Sequence, residues 1–322
     1  SEMCIRDRDY RKYYGDGRNH VITSLVEHKA TLNTCKYLNG ELYSNDDPTI
    51  SLFGEKKRVD RGFKASFVGV NSDGEISVEE IEKSMNENTA LISMIYVNNE
   101  IGSISDVSSV SKICKSHNIA LHSDMTQALG KLEIDVKKLG IDYASCSAHK
   151  IYGPKGIGAA YMKSDAYGIA PITAFMHGGE QEYGYRAGTH AVHNIVGFGK
   201  AAEIAIRDMK ENETRIQKLD ELLLRGIANI DGIHTTVNVS KRIPGIISII
   251  VEKEDFHNER FIKKISEKVA LSTGSACSAG EPSYVIQALG LENKVNKVLR
   301  VSINKFTAKE DIISFLDLLG KI

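Results

Sequence analysis

From His20 to Asp142 short β-branched or apolar runs alternate with longer amphipathic ones. HVITSL precedes a helical pattern from Ala30 to Leu38, KASFVGV one near Val78 to Met85, and ALISMIYV one near Val107 to His117. Two more strand patterns follow, IALHS and IDYASCS. Strands joined by helical crossovers predict an α/β fold, a mostly parallel sheet with helices on both faces. Ligands in open sheets of this kind gather at the carboxyl ends of the strands. The last two strands lead there into Asp124 and into His149-Lys150.

Residues 40–62 are polar, carry turn residues at Asn45, Asp46, Asp47 and Pro48, and read as a long surface insertion. Beyond Gly199 a run rich in Glu, Lys and Leu predicts a helix to Ile227. GIISIIVE then predicts a strand, FIKKISEKV a helix, and VLRVSI a last strand before a final helix. The expected organisation is a large domain over residues 9–205 and a smaller α+β C-terminal domain over 206–322. Residues 1–8, SEMCIRDR, are charged and aperiodic and are set aside as foreign to the fold.

Composition narrows the class of function. With 322 residues, 42% hydrophobic, the chain is long enough for one large and one smaller core. Lys and Arg number 41 against 42 Asp and Glu, which gives no charge excess to draw nucleic acid or an anionic membrane, so a small metabolite is the expected ligand. Five cysteines at irregular spacing, without a CxxC pair, argue against a secreted disulfide framework and suggest a reducing cytoplasm. No apolar run reaches the roughly 20 residues that span a bilayer.

An aldehyde cofactor needs a lysine for its carbonyl, an acid against its ring nitrogen and donors for its phosphate. Asp124 and Lys150, on neighbouring strand ends, suit the first two needs, although a lone lysine beside Gly153, Gly156 and Gly158 is more often solvated and a strand-end Asp more often a helix cap. GPKGIG lacks the spacing of a phosphate loop and reads as a tight turn. Cys277 stands in STGSACSAGEP, where small residues on both sides suit an accessible, reactive thiol as well as a structural one. Cys35, Cys114 and Cys146 fall within helix or strand patterns and read as core residues. His177, His190 and His193 lack zinc-site spacing, so no metal is expected.

Six strings in order carry a resemblance: EHKA (27–30), VNNEIG (97–102), SDMTQ (123–127), SAHKIYGPKGIG (147–158), HGGEQEYGYRAGT (177–189) and STGSACSAGEPSYVIQALG (272–290). They resemble the cysteine desulfurases of the NifS/IscS kind, which have the class V, aspartate aminotransferase-like fold of pyridoxal-phosphate-dependent transferases. The resemblance implies a homodimer that uses pyridoxal 5'-phosphate to take sulfur from L-cysteine, leaves L-alanine, and passes a Cys277 persulfide to an acceptor protein. It also implies residue roles. Lys150 corresponds to the Schiff-base lysine, Asp124 to the pyridinium partner, Gln127 to the donor to the ring's phenolic oxygen, and His28 to the imidazole stacked on the ring. Ser147, His149 and Thr189 correspond to phosphate ligands, Thr189 reaching into the partner's site. Asn99 and Arg300 correspond to the groups that hold the substrate carboxylate.

Three departures stand against the pattern. The family's leading segment, with a Gly-Ala-Thr turn for the phosphate, has no counterpart before residue 20, so poor cofactor binding or incomplete folding is one expectation. The 40–62 insertion is long. The connection from Cys277 to Glu281 is shorter than in the housekeeping member, which leaves the acceptor open, a desulfurase specialised for DNA phosphorothioation included. Another enzyme of the same fold, a selenocysteine lyase or an aminotransferase, and an inactive fragment that only binds a partner are the competing readings.

Overall fold

The computed structural model describes residues 17–41, 60–172, 174, 176–274 and 282–322; residues 42–59 of the 40–62 insertion, the leading residues 1–16 and Cys277 lie outside them. The strand patterns found between His20 and Ser147 all form strands of one sheet. Along the chain come β1 (His20–Ser24), α1 (Lys29–Leu38), β2 (Lys64–Val68), α2 (Val78–Ser84), β3 (Thr89–Ile95), α3 (Val107–Ser116) and β4 (Ala120–Asp124). After them come α4 (Val136–Leu139), β5 (Tyr143–Ser147) and β6 (Gly158–Met162). The strand order is β2-β1-β3-β4-β5-β6, parallel from β2 to β5 and antiparallel at β6. Every residue of β3 is buried, as expected of a central strand covered on both faces.

Strand order decides where a ligand fits. From β1 the chain moves outward to β2, then returns across β1 to build β3, β4 and β5 on the other side. The connections leaving β1 and β3 thus diverge, and the crevice between their carboxyl ends is a topological switch point. The Glu27-His28 pair follows β1 there, and Asn98-Asn99 follows β3.

Strand β6 was not foreseen. GPKGIG does form a turn, with Gly156 at φ +79°, but the chain then pairs back on β5, Ser147 opposite Gly158. Its sequence, GAAYM, has no alternating period to announce a strand, and only a glycine fits at 158, where a Cβ would stand 2.4 Å from the Cys146 carbonyl oxygen. That placement also leaves Cys146 half-buried rather than in the core, whereas Cys35 and Cys114 are fully buried.

The run beyond Gly199 is two helices, not one. α5 (Val192–Arg207) and α6 (Met209–Ala228) meet at Asp208, whose carboxylate accepts from the Arg207 Nε–H at 2.6 Å. They lead to β7 (Ile233–Thr235), β8 (Ile246–Val251), α7 (Asn258–Ile265), α8 (Tyr284–Ala288), β9 (Val298–Ser302) and α9 (Lys309–Leu319). The antiparallel sheet β7-β8-β9 buries both faces of β8. Ile247, Ile249 and Val251 pack with Leu223 and Phe315 from α6 and α9. Ile246 and Ile250 join the core of the large sheet with Ile101 and Val285. A buried ion pair fixes the entry to β8: the two carboxylate oxygens of Asp220 accept from Arg242 at 3.0 and 2.6 Å, and Oδ1 also takes the Gly245 N–H at 2.7 Å.

Candidate active site

At the end of β4 Asp124 is buried, and of its two carboxylate oxygens only Oδ1 is engaged among the described residues, by the Thr126 N–H at 2.9 Å. The neighbouring strand β5 runs into a short 3-10 turn, Ala148–Ile151, which presents His149 and Lys150 at the surface of the crevice. His28 caps α1, its Nδ1 accepting the Ala30 N–H at 3.2 Å. Burial lowers the His28 pKa first, the Lys150 and Lys29 cations lower it further, and Asp124 opposes them, so the ring is held toward its neutral form. His149 is lowered as well, by desolvation and then by Lys150, Lys155 and His28. These mutual electrostatic effects put His28, Asp124, His149 and Lys150 in one cluster.

Gln127, one turn beyond Asp124, is buried, and its Oε1 accepts from the Lys131 ammonium at 2.7 Å. Burial, with Lys150 adding to it, pushes the Lys131 pKa down to about 8. Behind His28 the Glu27 carboxyl is wholly buried. Its Oε1 takes the Ile95 N–H and the Ser24 hydroxyl, each at 2.8 Å, while Oε2 has no partner. Desolvation raises its pKa to about 8 despite those two bonds.

The other wall of the crevice comes from the small sheet. The Asn98–Ser103 turn docks on β8, and Gly102 permits the approach: its φ is +76° and a Cβ there would lie 2.6 Å from the Ile246 carbonyl oxygen. Across that junction Arg300 on β9 reaches the Asn99 carbonyl at 3.4 Å. The Asn99 Oδ1 and Arg300 Nε are buried and unpartnered. A donor and an acceptor left unsatisfied side by side in a crevice suit a polar ligand, since a buried polar atom without a partner carries a desolvation penalty. Glu100, also buried, accepts from the Ser283 hydroxyl at 2.6 Å, and a Cβ on Gly274 would stand 3.0 Å from the same carboxylate oxygen. The residues flanking 275–281 therefore converge on Glu100, beside Asn99 and Arg300. Tyr284 adds a second tie, its hydroxyl donating to the Glu27 carbonyl at 2.8 Å.

Of the residues singled out in the sequence, His28, Asp124, Gln127, His149 and Lys150 gather at one end of the sheet, Ser147 ends β5 beside them, and Asn99 meets Arg300. Thr189 stands apart, exposed in the segment before α5. Glu27, Glu100 and Lys131 were missed. Glu27 and Glu100 stand in EHKA and VNNEIG without having been assigned a role, and for Lys131 the signal was its spacing from Gln127, four apart in a turn, which puts two side chains on the same face.

This donor set fits pyridoxal phosphate. Lys150 offers the amine, Asp124 an uncommitted carboxylate oxygen for a ring nitrogen, and Gln127, its oxygen already taken, an amide N–H. The Ser147 hydroxyl and the His149 ring could donate to a phosphate.

Residues 53–315 match the family described as Aminotransferase class-V. A cysteine desulfurase IscS from Shewanella loihica is 36% identical over 312 residues, covering 96% of this chain and 71% of the relative. Among solved structures, a NifS-like protein superposes with a TM-score of 0.83 at 30% identity, over 99% of this chain and 79% of that one. A second structure, SspA in complex with cysteine, gives 0.71 at 29% identity over 95% and 81%. With most of its length matched by the family and a relative similar across nearly all of it, the chain belongs to the class-V aminotransferases.

Proposed function

We propose that the protein is a pyridoxal-phosphate-dependent cysteine desulfurase that transfers the sulfur of L-cysteine to Cys277 and releases L-alanine. What carries this reading is a link between two groups of residues: the His28, Asp124, Gln127 and Lys150 cluster, and the Asn99–Arg300 pair beside the flanks of the Cys277 segment, joined where Tyr284 donates to the Glu27 carbonyl and the Asn98 amide to the Val26 carbonyl. Relatives named cysteine desulfurase, and a similar protein solved with cysteine, support it.

When bound, the cofactor supplies an aldehyde for the substrate amine and a ring that draws electrons from Cα. Lys150 would hold the group, and its amine is the base that would move the proton at the substrate Cα. Asp124 would hold a proton at the ring nitrogen. The neutral imidazole of His28 lies at hand for proton movement, and the Gln127 amide donates to the ring oxygen. Arg300, with Asn99, orients the substrate carboxylate, a task that suits the forked guanidinium donors. Cys277 attacks the substrate sulfur as a thiolate: a bond between the two sulfurs forms, the carbon–sulfur bond breaks, and the carbon skeleton leaves as alanine after protonation.

The same reading includes a homodimer, with Thr189 donating to the phosphate in the partner's site. Tyr183, Val192 and Val196, close to Thr189 in sequence, are exposed apolar side chains, and a second copy of the chain would cover them. The bound sulfur then passes to an acceptor protein, in iron–sulfur cluster assembly or another sulfur-transfer route, within the cytoplasm. Among the described residues no helix is long and apolar enough to cross a membrane.

Cys277→Ser is the deciding experiment. Serine is nearly isosteric but almost wholly un-ionised at neutral pH, so the variant should bind cofactor and cysteine with wild-type spectra yet make no alanine. Alanine formation at the wild-type rate would refute the desulfurase reading in favour of an enzyme whose thiol is incidental.

A further inference from the structure

Gln127 has two ends that an active site would read in opposite ways: a carbonyl oxygen that accepts and an amino group that donates. Which end meets a ligand depends on what holds the other. In this protein the holder is Lys131, whose Nζ lies 2.7 Å from Oε1 in a half-buried position one turn along the chain. An ammonium has three donors and no acceptor, so it tolerates only the oxygen of the amide; the reverse orientation would set two donors against each other. We propose that Lys131 is a positioning residue, which locks the Gln127 side chain with its amino group turned toward the cofactor's ring oxygen. The inference deepens the proposed function and rests on its cofactor.

Burial supports the assignment. Gln127 is 9% exposed, so water cannot readily replace the lysine as its partner. Desolvation of Lys131 and the nearby Lys150 cation work against the Lys131 charge. A lysine placed there at such a cost, without a carboxylate partner among the described residues, requires a reason, and a donor-only clamp on an amide gives one.

The test compares wild type, Lys131→Met, Lys131→Arg, Gln127→Leu and the Lys131→Met/Gln127→Leu double variant, each titrated with pyridoxal phosphate. Dissociation constant and absorption maximum are read together. Lys131→Met should weaken cofactor binding about tenfold, the scale of one charge-assisted hydrogen bond, and move the absorption maximum in the same direction as Gln127→Leu. Lys131→Arg keeps a donor-only cation and should restore both. In the Gln127→Leu background, removing Lys131 should change the dissociation constant by less than about twofold, because a residue that acts through another loses its effect with it. Should Lys131→Met not fold, Lys131→Gln repeats the test with a neutral side chain that accepts either amide orientation. Wild-type affinity and spectrum in the neutral variant, or effects that add fully in the double variant, would overturn the proposal. A wild-type protein that develops no cofactor absorption would instead refute the cofactor reading and this inference with it.

Discussion

Replacing Glu27 with glutamine is expected to stabilise the protein above neutral pH and to flatten its pH dependence. The carboxyl is wholly buried behind His28, and desolvation raises its pKa from 4.5 to about 8, with Asp124 adding a smaller push against the two hydrogen bonds from Ile95 and Ser24. A folded pKa above the unfolded one means that the fold takes up a proton. The associated stability is full below the unfolded value and is lost as pH rises through about 8. At about 1.4 kcal/mol per pH unit the gap between 4.5 and about 8 corresponds to a loss on the order of 5 kcal/mol, which solvent and structural relaxation around the charge reduce to a few. Glutamine keeps an oxygen for both donors and carries no charge, so near pH 5 the two proteins should agree within about 1 kcal/mol. The assay is urea unfolding of cofactor-free protein across that range, since bound ligand would add its own linkage. His28 titrates with the opposite sign, its folded pKa being lowered, so its stability contribution grows as pH rises. It is present in both proteins and cancels in their difference. Parallel curves, with a difference that stays below about 1 kcal/mol from pH 5 to 9, would refute the buried-acid argument.

Mixing a Thr189→Ala subunit with a Lys150→Ala subunit should restore activity, because one site of the mixed dimer then carries both defects and the other neither; subunits that exchange yet remain inactive would exclude a shared site. Asp220→Ala should cost about 3 to 5 kcal/mol in urea unfolding by leaving Arg242 buried and unpaired, and a loss under about 1 kcal/mol would mean that water reaches the guanidinium.

The parallel sheet was legible because its signals are local. Strands such as ALISMIYV are apolar on both faces, and the helices between them carry capping residues at their starts, Ser77 before α2 and Asp106 before α3, each accepting from the backbone N–H three residues on. Elements that rest on tertiary contacts were not legible. β6 is held by pairing with β5 and has no period of its own, and α5 and α6 differ from one long helix only at Asp208. Short pieces such as β7 and α4 carry too few residues for a period to develop.

The same division explains the active site. Asp124, Lys150 and Gln127 belong to strings that carry the family resemblance, and the topology brings them together because β4 and β5 are neighbours in register, Asp124 opposite Ser145. Glu100 also stands in such a string, VNNEIG, but its contacts could not be read from it, because they are made with residues more than 170 positions away: Ser283 at 2.6 Å and Gly274 against the same oxygen. Yet this contact decides how the two halves of the crevice work together. The Asn98–Ser103 turn leaves the large sheet at its switch point and touches β8 through Gly102, β9 through Asn99 and both flanks of 275–281 through Glu100. One short turn thus ties the ligand-binding end of the parallel sheet to Arg300 and to the base of the segment that bears Cys277. On the proposed function, substrate orientation and thiol delivery would therefore share a single structural support, and a change at Glu100 would disturb both before it reached the Asp124–Lys150 cluster.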